Sequence, residues 1–343
     1  KKWLSAWISK EWRNFKLSIL VTGGAGYIGS HVVKELCRLG YEVVVLDDLS
    51  TGRKALLLDV PFYRGDIADA DLVKRIVRTH QVEALMHFAA KSLVAESMQV
   101  PEKYFLENTA KSVQLFAALI QEGVRHIVFS STAAVYGIPD EVPIPETTAC
   151  RPVNPYGQSK LMIEQALHWL ERAYGIRWAA LRYFNAAGAS PDGDLGECHE
   201  PETHLIPLVL QTALGQRDEL LIYGNDYDTP DGTCIRDYIH VVDLATAHIA
   251  VLEGLRKGSL PSGPLNVGTG HGYSVREVVE TAVKVTGNEI PCRFVERRPG
   301  DPPVLVAATD KIRSMLDWKP VRSDLRTIIA DAWKWHRSLS QHV

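Results

Sequence analysis

One run, Ile19-Leu20-Val21-Thr22-Gly23-Gly24-Ala25-Gly26-Tyr27-Ile28-Gly29, constrains the fold of this chain more than any other. An apolar, β-prone stretch meets a cluster of glycines and passes directly into a helical pattern. The backbone must turn sharply there and be approached more closely than a Cβ permits. Amides at the helix start then point outward and, with the helix dipole, favour a phosphate. G-x-G-x-x-G alone is permissive; its context and the acidic pair Asp47-Asp48, about twenty residues on at the end of the next apolar run, give it meaning. A carboxylate at that position accepts hydrogen bonds from an adenosine ribose and repels a 2′-phosphate, so the spacing favours NAD over NADP. The competing reading makes these aspartates helix caps or turn residues.

The alternation continues along the first half. Segments 18–21, 42–46, 84–88, 126–130 and 177–183 are short, apolar and rich in β-branched or aromatic residues, as buried strands are. Between them, 28–39, 69–79, 101–121 and 159–174 carry helical patterns, with Gly40, Gly123 and Gly175 where left-handed caps are needed. Strand–helix repetition implies an α/β fold: a doubly wound, Rossmann-type parallel sheet covered on both faces. After Asn185 the texture changes. Residues 188–203 are rich in Gly, Pro, Asp and Glu and read as a long functional loop, and further Pro/Gly clusters lie at 258–264 and 299–303. The expected division is an extension (1–16), a dinucleotide domain (17–185), and a smaller α/β substrate domain (186–343) with segments returning to the first.

Composition excludes several classes. The 343 residues suffice for roughly two domains. A net charge of −3 gives no reason to expect nucleic acid. No apolar run reaches the ~18 residues of a membrane span. The five cysteines (37, 150, 198, 234, 292) are scattered, which argues against a disulfide framework and for a reducing, cytoplasmic setting. In the first sixteen residues, Lys1, Lys2, Lys10, Arg13 and Lys16 surround Trp3, Trp7 and Trp12. A membrane-surface helix is one reading, but three aromatics make a small anchor, and an upstream extension is favoured.

Tyr156 and Lys160 share one face of a helix at i and i+4. A phenol titrates near ~10 and must be lowered to act as a base at neutral pH. A lysine ammonium together with the charge of an oxidised nicotinamide would do so. A core tyrosine and a surface lysine sharing a turn is the alternative. Ser130-Ser131-Thr132, ending a strand, offers a hydroxyl relay or a simple turn. Cys198-His199-Glu200-Pro201-Glu202-Thr203-His204 mixes metal-ligand types, but its spacing matches no metal signature and no metal is expected. Arg236-Asp237 and Arg297-Arg298 fit phosphate recognition or surface ion pairs equally well.

Together these features resemble the extended short-chain dehydrogenase/reductase family, in particular its UDP-glucose 4-epimerase branch, from about residue 17 to 335. The stretches VTGGAGYIGSH, DDLSTG, GDI, HFAA, FSSTAAVYG, NPYGQSK, LRYFNAAGA, YGNDYDTPDGTCIRDYIHVVDLA, NVGTG and RRPGDPP carry the likeness. It implies a UDP-sugar substrate and retained NAD. Hydride leaves C4′ of the sugar, the 4-keto sugar rotates, and hydride returns to the opposite face. Tyr156 would be the base, Lys160 its tuning cation and Thr132 the hydroxyl shuttle. Gly23, Gly26, Tyr27, Ile28, Gly29, Asp47, Asp48, Asp66, Ile67, Phe88, Ala89, Ala90, Asn108, Ser130 and Tyr183 would join Tyr156 and Lys160 around NAD. Phe184, Asn185, His204, Leu205, Tyr223, Arg236, Arg298, Asp301 and Leu305 would join Thr132 and Tyr156 around the UDP-sugar. The resemblance also implies a homodimer through helices 101–121 and 159–174. Three departures stand out. Thr132 replaces a frequent serine, Lys91-Ser92 follow HFAA where many members place a lysine second, and Leu305 at a gate beside the sugar leaves N-acetylated sugars in question. UDP-pentose epimerases remain open. A 4,6-dehydratase is disfavoured because Ala133 and Ala134 stand where its Asp-Glu pair would follow the threonine, and a non-catalytic scaffold because Tyr156, Lys160 and Thr132 are all present.

Overall fold

The computed structural model describes residues 17–298 and 300–340; the tryptophan-bearing stretch 1–16 lies outside them. Its centre is a seven-stranded sheet in the order β11-β6-β5-β4-β1-β2-β3. The strands are β1 (Ser18–Thr22), β2 (Glu42–Asp47), β3 (Phe62–Arg64), β4 (Ala84–His87), β5 (His126–Thr132), β6 (Arg177–Tyr183) and β11 (Gly263–Val267). Every neighbouring pair is parallel. Strand periodicity explains why both faces are apolar. Ile19 and Val21 of β1, Val43 and Val45 of β2, and Ala84 and Met86 of β4 enter one core with the helices Tyr27–Arg38 and Val241–Arg256. The residues between them, Leu20, Val44, Leu46 and Leu85, enter a second core with Ala70–His80, Lys111–Gln121 and Pro155–Tyr174.

Gly40, Gly123 and Gly175 have φ of 86°, 92° and 67°, the left-handed caps anticipated from sequence. Two boundaries differ. The helix holding Tyr156 begins at Pro155 rather than 159, because Asn154 caps it by accepting from the Gly157 amide at 2.8 Å and proline fits the first helical position. The region 101–121 is not one uniform helix: Pro101–Tyr104 and Lys111–Gln121 are joined by a π-helical stretch, Phe105–Ala110. The glycine-rich 258–264 is not all loop either, since Gly263 opens the seventh sheet strand.

A third apolar cluster gathers helices Leu205–Ala213, Val275–Thr286 and Leu325–Ser340 around Ala187, Leu220, Ile222 and Tyr238. Its strands form small sheets in which β10 (Tyr238–His240) pairs with β7 (Asn185–Ala187) and β13 (Cys292–Val295) with β8 (Leu220–Tyr223). Between Gly188 and His204 there is no regular helix or strand. Lys34 holds this segment down, its ammonium donating to Ser190, Asp192 and Asp194 at 2.7–2.9 Å.

Three fully buried imidazoles carry a pH dependence. Burial lowers His31 and His248 to about 4 and His87 to about 3. The unfolded chain takes up these protons below about pH 6.5, while the folded chain refuses them until about pH 4. Their stabilisation is therefore complete above pH 6.5 and drains as pH falls, by up to about 1.4 kcal/mol per pH unit and imidazole. Thermal unfolding followed by circular dichroism is expected to show a midpoint that drops steeply between pH 6.5 and 4. The drop is shallower in His248→Gln; identical slopes would refute the assignment to His248.

Candidate active site

The sheet order places β1 beside β4, where the winding reverses and open α/β sheets form their ligand crevice. Gly23 leaves β1 with φ of 75°, and a Cβ there would lie 2.5 Å from the Ala89 amide nitrogen beyond β4. A Cβ on Gly29 would lie 2.1 Å from the Gly23 carbonyl oxygen. The helix Tyr27–Arg38 starts at Gly26 without a side-chain cap and without an acidic residue in its first turn. Its leading amides are thus left for an anion.

Asp47, buried at the end of β2, accepts the Ala25 amide at 3.0 Å on one carboxylate oxygen and the Leu49 amide at 2.8 Å on the other. Burial raises its pKa, these two bonds opposing. Each oxygen keeps a lone pair for a ribose hydroxyl. Asp48 is exposed and turns back on the Ser50 amide at 2.7 Å. Asp66 accepts Ala68 N at 2.9 Å and Lys111 Nζ at 2.6 Å, while Ile67 is buried. Asn108, fully buried, donates to the Lys91 carbonyl at 3.0 Å and accepts the Lys91 amide at 2.8 Å. It also donates to Ser159 Oγ at 3.0 Å, so it shapes the Phe88–Lys91 strand exit from beneath. Lys91 reaches Ser50 at 2.7 Å. The Tyr27 phenol is committed elsewhere, donating to the Gly188 carbonyl at 2.7 Å, so only its backbone is available to a cofactor.

The Ser-Ser-Thr ambiguity resolves into three different jobs. Ser130 Oγ bonds the Tyr183 hydroxyl, and Ser131 Oγ donates to Glu164 at 2.5 Å. Thr132, the last residue of β5, sits beside the Tyr156 phenol and caps the turn beyond it by accepting Ala134 N at 3.1 Å. Lys160 is buried, with its ammonium donating to the Ser130 carbonyl at 2.9 Å and lying 6.0 Å from the Tyr156 ring centre. Burial pulls Lys160 down to about 7, with Glu164 opposing. Burial pushes the Tyr156 phenol up, and its bond to Thr132 opposes. The lysine alone therefore does not produce a low phenol; the positive charge of a bound oxidised nicotinamide would act in that direction.

Sequence reading passed over the support for this pair. Glu164 forms a buried 2.5 Å ion pair with Arg182 of β6, and Arg182 donates to the Tyr136 hydroxyl at 3.0 Å. An arginine inside an apolar strand and a glutamate one turn beyond Lys160 were the available signals.

In the second lobe the expected residues form pairs. Arg236 meets Asp301 at 2.5 Å, and the Arg298 guanidinium lies 3.9 Å from the Tyr223 ring centre. Asn185 donates to the Asp237 carbonyl at 3.2 Å. Phe184 and Leu305 are partly buried against Ala133, Val135 and Tyr136, beside the turn that follows Thr132. Leu205 opens helix Leu205–Ala213; His204 before it sits on Glu197 at 2.8 Å and Glu202 at 3.0 Å.

The sheet order, the open helix start and the buried Tyr156–Lys160 pair define a dinucleotide-dependent enzyme of the short-chain dehydrogenase/reductase type. The chain belongs to the NAD dependent epimerase/dehydratase family, whose model matches residues 19–268. NAD is its cofactor, and the glycine cradle and the Asp47 carboxylate fit that group. The chain is 53% identical over 325 residues to a UDP-glucose 4-epimerase of Streptococcus mutans, covering 94% of this chain and 97% of that one. Among solved structures, the UDP-glucose 4-epimerase of Brucella ovis in complex with NAD has a TM-score of 0.90 at 45% identity, covering 92% of this chain and 97% of that one. The Thermotoga maritima UDP-glucose 4-epimerase with UDP-glucose has a TM-score of 0.83 at 31% identity, covering 94% of this chain and 100% of that one.

Proposed function

We propose that this chain interconverts UDP-glucose and UDP-galactose. The observation that carries the reading is the buried Lys160 fixed on the Ser130 carbonyl within 6.0 Å of the Tyr156 ring centre, with Thr132 beside that phenol and Ala133 and Ala134 directly after it. Bound NAD supplies the acceptor and donor of the C4′ hydride and a positive charge beside the phenol. Tyr156 Oη takes the proton of the sugar 4′-hydroxyl and gives it back, with the Thr132 hydroxyl as relay. Lys160, fixed by the Ser130 carbonyl, holds a proton below the phenol and orients the nicotinamide ribose. Gly23, Gly26 and Gly29 admit the pyrophosphate, and Asp47 takes the adenosine ribose. With alanines after Thr132, no carboxylate is placed there to eliminate water.

Residues 17–185 would hold NAD, with β11 and helix Val241–Arg256 returning to that layer, and the later segments would hold the UDP-sugar. Asn185, Leu205, Tyr223, Arg236, Arg298 and Asp301 are its proposed contacts, with Phe184 and Leu305 beside the sugar. Arg236 and Arg298 supply the charge for the diphosphate. Homodimerisation is supported by the exposed Leu106 (60%) and Trp169 (64%) on the segments expected to meet, with the exposed Met98 (61%) on the short helix just before them. All five cysteines are free, as in a reducing cytoplasm. No described helix is long and apolar enough to cross a membrane.

The test is incubation of the purified protein with UDP-galactose and no added NAD, followed by proton NMR of the anomeric region. UDP-glucose is the expected product. A 4-keto-6-deoxy sugar, or no turnover even with NAD added, would overturn the proposal.

A further inference from the structure

Away from the Tyr156–Lys160 pair, the segment between Gly188 and helix Leu205–Ala213 folds four side chains onto one point. Glu197, His199, Glu202 and His204 each offer one ligand atom, all within 4.8 Å of one another. The two imidazoles turn the same atom, Nδ1, toward the same carboxylate oxygen, Glu197 Oε1, at 2.9 and 2.8 Å. Glu202 Oε1 lies 3.0 Å from His204 Nδ1. The carboxylate at the centre, Glu197, is buried, so its charge needs a fixed partner.

We propose that Glu197, His199, Glu202 and His204 bind one divalent transition-metal ion of the zinc class. Two carboxylates and two neutral imidazoles carry a charge of −2, which a divalent ion balances. A tetrahedral ion with ligands at about 2.0–2.2 Å sets its ligand atoms about 3.3–3.6 Å apart. The closest pairs here therefore open by about half an ångström when the ion replaces the Nδ1 protons. A mixed nitrogen and oxygen donor set suits zinc rather than magnesium or calcium, which prefer oxygen alone.

The surroundings hold the loop in this shape. The Trp335 indole donates to the Glu197 carbonyl at 2.8 Å, and Arg53 Nε donates to the Cys198 carbonyl at 2.9 Å. Glu202 Oε1 also accepts the Thr203 and His204 amides at 2.8 and 2.9 Å. A cavity of about 450 Å³ lined by Glu197, His199, Glu202 and His336 gives an ion access. The motif is E-x-H-x-x-E-x-H, with all four ligands from one short segment, which the sequence reading did not count as a metal pattern. The inference does not rest on the epimerase reading. It moves His204 from the substrate list to a structural role, pinning the loop that leads into Leu205.

The experiment loads purified full chain with a small excess of ZnCl₂, removes free metal by gel filtration, and measures bound zinc by mass spectrometry. About one zinc per chain is expected, with an X-ray absorption edge showing only nitrogen and oxygen neighbours. Zinc is expected to raise the thermal midpoint, whereas MgCl₂ and CaCl₂ leave it unchanged. His199→Gln, at a half-exposed position, is expected to weaken zinc binding by about tenfold or more while its zinc-free midpoint stays near that of the parent. Zinc well below one per chain in the parent would overturn the site. So would equal zinc binding in His199→Gln and Glu202→Gln, sulfur neighbours at the edge, or equal stabilisation by magnesium.

Discussion

Replacing Tyr156 by phenylalanine is expected to lower turnover of UDP-galactose by about 10³-fold, within the range that a positioned acid–base group contributes. The substitution removes one oxygen and little else. The ring keeps its edge-on contact with Tyr104, centres 6.4 Å apart, and its place 6.0 Å from the Lys160 ammonium. Thr132 loses the phenol beside it but still caps the Ala134 amide, so the turn beyond β5 stays formed. NAD content and thermal midpoint should therefore match the parent while kcat collapses. Thr132→Val is expected to cost less, about 10- to 100-fold, because it removes the relay and leaves the base. A coupled spectrophotometric assay distinguishes these. If Tyr156→Phe keeps a tenth or more of the parent rate, the proton is handled elsewhere.

The parts legible in the sequence were those where local chemistry and global fold demand the same residue. The glycine turn, the acidic strand end at Asp47 and the left-handed caps at Gly40, Gly123 and Gly175 were of this kind, since backbone geometry admits few substitutes there. Short continuous apolar runs placed β1, β2 and β4 because both faces of a parallel sheet are buried. What stayed hidden depends on contacts between distant segments. Ser130, Ser131 and Thr132 are equivalent hydroxyls in sequence, and only Tyr183, Glu164 and the Ala134 amide tell them apart. Asn108 acts through the Lys91 backbone, a relation no spacing rule contains. The strand at 263 was obscured because glycine and proline mark turns locally, whereas pairing with β6 overrides that preference. The electrostatics were the least legible. A lysine four residues from a tyrosine suggests a lowered phenol, but burial dominates both groups and sends Tyr156 the other way.

The glycine turn separates packing from phosphate access, and two substitutions exploit that. A Cβ at Gly29 would stand 2.1 Å from the Gly23 oxygen, 2.9 Å from its carbonyl carbon and 3.0 Å from Gly24 Cα. All three are backbone atoms and cannot swing aside, so the turn itself must move by about an ångström. Overpacking of this kind costs about 1–3 kcal/mol, and the moved atoms belong to the cradle proposed for the pyrophosphate. Gly29→Ala is thus expected to lose most of its NAD on purification and to melt several degrees below the parent when both are compared free of NAD. Gly26→Ala differs: its Cβ would meet only the Gly23 oxygen, at 3.3 Å. Its NAD-free midpoint should stay close to the parent's, while the added methyl at the open helix start displaces the phosphate and lowers NAD content about as far. Absorbance of released NAD and thermal scans read both quantities. If Gly26→Ala retained NAD, the pyrophosphate would not lie on this helix start; if Gly29→Ala melted with the parent, the contact between helix and turn would be looser than the 2.1 Å approach requires.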